Sequence, residues 1–329
     1  SLRHGIEAME KLLENYGLDE ISGQMDALRE ESRISCERFL SEIGEIELSG
    51  RQLLDDNDQI CLKVTIKDGR AVFDFSGTSA SRSDNLNATE AIVYSAVCYC
   101  LRVLIGSKLP LNEGLLDPVD ILIPSGSLLR PSFGTDSEDS PGVAGGNVEI
   151  SQRLVDLILS SIFQEVAMSQ GTMNNVIFGN SNFSHYETIC GGSGARIGSD
   201  GSSAVQVHMT NTAITDPEVL ETRFPVHLLA FRIRKDSGGK GTWNGGDGVE
   251  REYLFEEKTQ ISLLTQSRVQ APGGISGGKS GKCGRQILIR KAGNQEVLSS
   301  LEQVIAYPGD RLLIRTPGGG GAGEAELLS

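Results

Sequence analysis

The stretch "HYETICGGSGARIGSDGSSAVQVHMTN", residues 185–211, decides between two folds. Its glycine-rich middle, residues 190–201, leaves backbone amides open to an anion, as a phosphate-holding loop does. A dinucleotide turn also needs a strand before it, a helix after it and an acid downstream for the ribose. "HYETI" alternates like a strand. So does the following "AVQVHM", with Val205, Val207 and Met209 on one face and Gln206 and His208 on the other. Strand, loop, strand leaves no helix N-terminus for a pyrophosphate. The pattern predicts antiparallel sheet and argues against a nucleotide site.

Outward from this stretch the same period holds. "NNVIFGN", "VHLLAFRIR", "VEREYLF", "ISLLTQ", "RQILIR" and "RLLIRT" all read as strands, interrupted by one short helix opening at Asp216-Pro217. Upstream the period changes to helical. Ile6, Met9, Leu12, Leu13 and Tyr16 form an apolar face that Gly17 stops, and a second helix runs from about Asp19 to Glu42. "QICLKVTI" and "RAVFDF" form a hairpin across Asp68-Gly69. A helix follows Asn87, which with Glu90 fits a capping box, and another follows Gly145-Gly146-Asn147. "VDILI" is a short strand, and residues 130–142 read as a polar, mobile loop. The fold class expected is α+β, with helices mainly in the first half and largely antiparallel β-sheet in the C-terminal half. We divide it into an N-terminal helical segment 1–44, an α+β core 45–175 and a mainly β, glycine-rich region 176–329.

Thirty basic and forty-four acidic residues give a net charge of −14, which repels nucleic acid and anionic lipid. The cysteines at 36, 61, 98, 100, 190 and 283 form no CxxC pair and read as free thiols of a reducing cytoplasm. "AIVYSAVCYCLRVLIG" has the length of a core helix, and no signal peptide is visible. The first residue is Ser, so a processed or truncated product is expected.

Several clusters carry chemistry. Gly145, Gly146 and Asn147 stand at an expected helix N-terminus, where free amides attract a carboxylate or phosphoryl oxygen; an ordinary Asn cap, with Glu149 serving the dipole, reads as well. Gln170, Thr172, Asn174 and Asn175 lie within seven residues, and their donors and acceptors suit an amide edge; a polar turn would look the same. His208, beside Asn211 and the loop of Gly191, Gly192 and Gly194, faces away from the apolar side of its strand and is either structural or catalytic. Glu187 is a general-base candidate if it shares that cleft, and Glu149 completes the catalytic candidates. The terminal "TPGGGGAG" reads as a flexible tail or as backbone packed closely on another chain.

"FDFSGTSASRSDNLNA", "PLNEGLL", "VAGGNVEISQRLVD", "SQGTMNN", "YETICGGSGA", "HMTNTAITDPEVLE", "GGDGVEREYLF" and "PGDRLLIRTPGGGG" occur in that order. Together they resemble the hydantoinase B/oxoprolinase family, which includes N-methylhydantoinase B, the C-terminal part of 5-oxoprolinase and the related acetone carboxylase component. The resemblance implies ATP-dependent opening of a lactam or hydantoin ring, with ATP and Mg held by a hydantoinase A-type partner that phosphorylates the substrate. It also implies a divalent metal, held by an N-terminal "HLPD"-like region upstream of this chain's first residue. No metal ligands are expected here, because His4, His185, His208 and His227 are too dispersed. Under the same resemblance the residues 190–201 line the amidohydrolase pocket, and the chain is an oligomeric enzyme component. An acetone carboxylase-like component and a non-catalytic assembly module are the alternatives.

Overall fold

The computed structural model describes residues 2–106, 109–136 and 140–325. Residues 137–139, inside the loop expected to be mobile, lie outside them. The chain forms two compact units.

The first unit comprises residues up to Leu48 with Lys63–Asp74 and Val97–Leu122. Helix α1 (Leu2–Tyr16) has the expected apolar stripe, yet none of its residues is buried. Helix α2 (Leu18–Ile43) buries only its second half, through Ser32, Ser35, Cys36 and Leu40. Arg29 of α2 forks onto Asp117, donating from Nε at 3.0 Å and Nη2 at 2.7 Å. After β1 (Ile46–Leu53) come β2 (Gln59–Lys67) and β3 (Arg70–Asp74), whose residues meet across Asp68-Gly69 and pair antiparallel from Lys63↔Asp74 to Lys67↔Arg70. Both turn residues have positive φ, 51° and 72°, as a tight hairpin requires. β3 then pairs in parallel with β4 (Val119–Leu122), in a sheet ordered β1-β2-β3-β4.

The second unit comprises Ser49–Leu62, Phe75–Ala96 and everything from Ile123 onward. Its frame is two antiparallel sheets. One is ordered β12 (Leu301–Ala306), β9 (Thr259–Leu264), β5 (Asn175–Gly179) and β6 (Ser184–Thr188). The other is ordered β11 (Gln295–Leu298), β10 (Arg285–Ile289), β13 (Arg311–Arg315), β8 (Val249–Phe255) and β7 (Val226–Ile233). Alternate residues of each, among them Val176, Phe178, Ile261, Tyr253, Phe255 and Leu312, form one buried core. Helix α5 (Pro217–Arg223) starts as expected, with Asp216 accepting from the amides of Glu218 and Val219.

Three expectations fail, each for a local reason. Helix α3 (Glu90–Ile105) is not capped by Asn87. The Asn87 side chain is buried and pins its own loop, accepting from Arg82 N and donating to the carbonyls of Arg82, Asp84 and Gly142. "AVQVHM" is not a strand: one bridge joins Val205 to Gly191, and the chain then turns at His208, whose φ is 53°. The terminal glycines are not a tail. Residues 316–322 are buried and thread between three loops. Gly319 N donates to Gly246 O at 2.9 Å and Gly320 N to Met168 O at 2.8 Å, while Ala195 N and Gly239 N donate back to Gly320 O and Gly319 O. Only glycine fits such an approach. A Cβ on Gly319 would lie 2.0 Å from Ser193 O, and one on Gly192 would lie 1.9 Å from Gly246 O.

Among the described residues no helix is long and apolar enough to cross a membrane.

Candidate functional site

The helix after Gly145, here α4, is regular α-helix at Ser151–Asp156, flanked by wider π-type turns at Gly146–Ile150 and Leu157–Ile162. Ser151–Asp156 is buried all round, and one stripe of the helix carries Glu149, Gln152, Arg153 and Asp156, at spacings of three, four and seven. An amphipathic helix normally presents apolar residues at those positions. Here four polar side chains enter the interior and must find partners there.

Two of the four find them directly on the segment Ser169–Asn175. Asp156 Oδ1 accepts from Ser169 N at 3.1 Å, and Glu149 Oε1 accepts from Met173 N at 3.2 Å and Asn175 Nδ2 at 2.8 Å. Arg153 Nη2 donates to Ser267 Oγ at 2.9 Å, which donates to Gln170 O at 2.7 Å. Gln152 Nε2 donates to Thr210 Oγ1 at 3.0 Å. A second tier joins the carboxamides. Asn174 Nδ2 donates to Gln170 Oε1 at 2.7 Å and Ile189 O at 2.9 Å, while its Oδ1 accepts from Arg268 Nη2 at 2.9 Å. Asn175 Nδ2 also donates to Leu264 O, and its Oδ1 accepts from the Tyr186 hydroxyl at 2.8 Å.

The group is buried but not saturated. Among the described residues Glu149 Oε2, Gln152 Oε1, Arg153 Nε, Asp156 Oδ2 and Gln170 Nε2 meet no hydrogen-bond partner. Burial raises the Glu149 carboxyl to about 8, against the opposing pull of the Thr172 hydroxyl, Met173 N, Arg153 and Arg268. Burial likewise lowers Arg268 to about 10, against the pull of Glu149 and Asp55. Near neutral pH Glu149 is therefore mainly the neutral acid, with its carboxylate form about a pH unit away. A surface pocket of about 530 Å3 borders the group: Leu264 and Ile177 line it, the first bonded to Asn175 through its carbonyl and the second paired with Tyr186 across β5 and β6.

Of the residues singled out from sequence, Glu149, Gln170, Asn174 and Asn175 come together in this group. His208 stands at its edge, with Nε2 3.6 Å from Asp156 Oδ1. Glu187 does not join it. Strand alternation turns Glu187 toward the core between the sheets, where Arg251 Nε and Nη2 donate to it at 2.9 and 3.1 Å and the Tyr253 hydroxyl also bonds it. Burial opposes its charge, but His185, Arg251 and Tyr253 outweigh that and lower its pKa, so it is held as a carboxylate in an ion pair. Gly145, Gly146 and Asn147 form no anion pocket. Helical backbone already begins at residue 144, so Asn147 is inside the helix, exposed, and no cap. The Gly145 amide is taken by Asn85 O at 2.7 Å and the Gly146 amide by Val143 O at 3.0 Å. Gly191, Gly192 and Gly194 pack on Gln170, Gly246 and Ala167 of their own chain, so their missing side chains admit neighbouring chain rather than open onto the pocket. Asn211 is exposed.

Gln152, Arg153 and Asp156 were missed. Their signal was a helical stripe of polar residues inside "VEISQRLVDLIL", visible only when polar spacing is counted as apolar spacing is. Among the described residues no three His, Cys, Asp or Glu side chains gather as a metal site requires.

The model of the family described as hydantoinase B/oxoprolinase matches residues 1–325. The chain is 43% identical to 5-oxoprolinase 1 of Arabidopsis thaliana, over 98% of this chain and 26% of that one. It is 41% identical to 5-oxoprolinase of Saccharomyces cerevisiae, over 97% and 26%, so it spans about a quarter of these relatives. The ATP-dependent caprolactamase of Pseudomonas jessenii shares the fold, with TM-score 0.86 at 23% identity over 98% of this chain and 59% of that one.

Proposed function

Because the chain belongs to the hydantoinase B/oxoprolinase family, we propose that it is the ring-opening component of an ATP-dependent cyclic amidohydrolase acting on a lactam or hydantoin. A hydantoinase A-type partner holds ATP and Mg in this reading and activates the ring carbonyl by phosphorylation. In the same reading a divalent metal belongs to a region upstream of this sequence.

One observation carries the proposal: a buried carboxyl raised to about 8 in one polar group with a carboxamide whose Nε2 has no partner among the described residues. Ring opening needs a water to add at the activated carbonyl carbon, its proton to leave, and a proton to reach the ring nitrogen as the C–N bond breaks; the acyl phosphate this leaves is then hydrolysed by a second water to the carboxylate and inorganic phosphate. Glu149 as carboxylate takes the first proton and, as acid, returns it to the departing nitrogen. Gln170, whose Nε2 has no partner among the described residues, supplies a donor for the carbonyl oxygen; Asn174 and Asn175, whose own donors are taken, hold Gln170 and Glu149 in place. Burial keeps bulk water from the activated substrate.

The test is reconstitution with a hydantoinase A-type partner and a panel of lactams and hydantoins. Glu149→Gln should lower kcat for ring opening by about a hundredfold or more, the scale of general acid–base catalysis, with KM little changed. Full ring-opening activity in Glu149→Gln would remove the carboxyl from the chemistry, and failure of every partner and substrate pairing would remove the amidohydrolase reading.

A further inference from the structure

The second unit holds another cavity, of about 410 Å3, bounded by the loop after β1, the segment Gln266–Val269 and the turn between β11 and β12. Leu86, Val297, Leu298 and Leu301 make its wall apolar. Asp55, Asp56, Arg268 and Arg285 supply its charges, and their pairing is lopsided.

Both carboxylates are already answered. Asp55 accepts from the amides of Arg268, Val269 and Gln270 at 2.9, 3.0 and 3.0 Å, and from the Ser300 hydroxyl. Asp56 lies 2.5 Å from Arg82 Nη2. Neither guanidinium makes a direct ion pair among the described residues, although Glu149 and Asp55 act on Arg268 through space. Arg268 donates only to neutral acceptors: Gln286 Oε1 at 3.2 Å, Gln266 O at 2.7 Å and Asn174 Oδ1 at 2.9 Å. Arg285 is exposed at the rim, and its side chain has no hydrogen bond or ion pair among the described residues. The backbone is cut to fit this arrangement. A Cβ on Gly284 would stand 2.7 Å from Arg268 Nη1 and 2.9 Å from Cζ, so glycine lets the guanidinium lie flat against the chain.

In a chain of net charge −14, two arginines without a direct ion pair, lining one cavity with an apolar wall, are a selective feature. We propose that this cavity binds a small aliphatic carboxylate, its head between Arg268 and Arg285 and its hydrocarbon body against Leu86, Val297, Leu298 and Leu301. The ligand carries one negative charge, because Asp55 and Asp56 on the same lining repel a second; a phosphate fits worse for that reason. The volume is at the small end of ligand pockets, which matches a body of several carbons. The site is distinct from the ring-opening group and does not depend on that reading, although Arg268 touches both through Asn174.

Isothermal titration of the full chain with 4-methylpentanoate tests it, with the uncharged 4-methylpentanamide and inorganic phosphate as comparisons. The carboxylate should bind at least about tenfold more tightly than either, the difference a charge-assisted contact makes. Arg285→Ala, at an exposed position, should weaken the carboxylate about tenfold and leave the amide unchanged. Gly284→Ala, which displaces the Arg268 guanidinium, should do the same, with a thermal melt confirming that both variants are folded. Equal binding of carboxylate and amide, phosphate binding as tightly as the carboxylate, no detectable carboxylate binding at millimolar concentration, or unchanged binding in Arg285→Ala would each overturn the assignment.

Discussion

Glu149 makes the stability of this protein depend on pH in a direction opposite to that of most carboxylates. Its carboxyl rises from 4.5 in the unfolded chain to about 8 in the folded one, chiefly through burial. Between those values the folded state holds a proton that the unfolded state has released, so stability falls as pH rises. The penalty grows by a little over ~1 kcal/mol per pH unit, reaching about 3 kcal/mol at pH 7 and somewhat under 5 above pH 8, where it levels off. Glu149→Gln carries no such cost, and its carbonyl oxygen can keep the bonds from Met173 N and Asn175 Nδ2. Urea unfolding of both proteins at pH 5, 6, 7 and 8 isolates this group, because other titrations cancel in the difference. The variant should gain on the wild type by about 1 kcal/mol with each pH unit from 5 to 8. A difference that stays flat across that range would refute a buried, neutral Glu149, and with it the argument for its proton-transfer role.

Glu187→Gln should cost about 3–5 kcal/mol in urea unfolding, because it leaves the fully buried Arg251 without its counter-charge; a cost under about 1 kcal/mol would mean the pair is not formed. Truncation at Pro317 should abolish the cooperative thermal transition rather than merely weaken partner binding, since the lost glycines supply backbone bonds throughout the second unit; an unchanged melting temperature would show that the threading is absent. Gly69→Ala should lower stability by about 1 kcal/mol or more, from a φ of 72° and a Cβ placed 2.8 Å from Ser41 Oγ; denaturant midpoints read it directly.

The α+β class and the antiparallel second half were legible because period-two alternation is a local signal, and "VEREYLF" or "RLLIRT" carries it without help from neighbours. "AVQVHM" carried it too and misled. A strand needs a partner along its length, and past Val205 no strand pairing continues among the described residues. The stripe on α1 was equally real as pattern, yet α1 buries nothing, because periodicity shows which face is apolar and not whether anything covers it. The site divides the same way. "SQGTMNN" was legible through its density of carboxamides. Asp156 and Arg153 were not, because their partners, Ser169 and Ser267, are set by tertiary packing.

The glycines that first suggested a phosphate loop have a different connection to the site. Segment 167–175 enters through a lattice of backbone bonds: Ala167 N to Ala195 O, Met168 N to Gly273 O and Gln170 N to Gly192 O, with Gly320 N returning to Met168 O. Those bonds fix the chain immediately before it delivers Gln170, Asn174 and Asn175 to Glu149. A Cβ at Gly191 would fall 2.0 Å from Gln170 Oε1, the atom that accepts from Asn174. The glycine-rich weave is thus the rigid support of the polar group, and a methyl group there would displace the carboxamides without touching any substrate. Geometry at such sites must hold to within about half an ångström to be useful. That requirement links the abundance of glycine in the second half to the chemistry: side chains are removed from the crossing strands so that those on the neighbouring segment stay where they are.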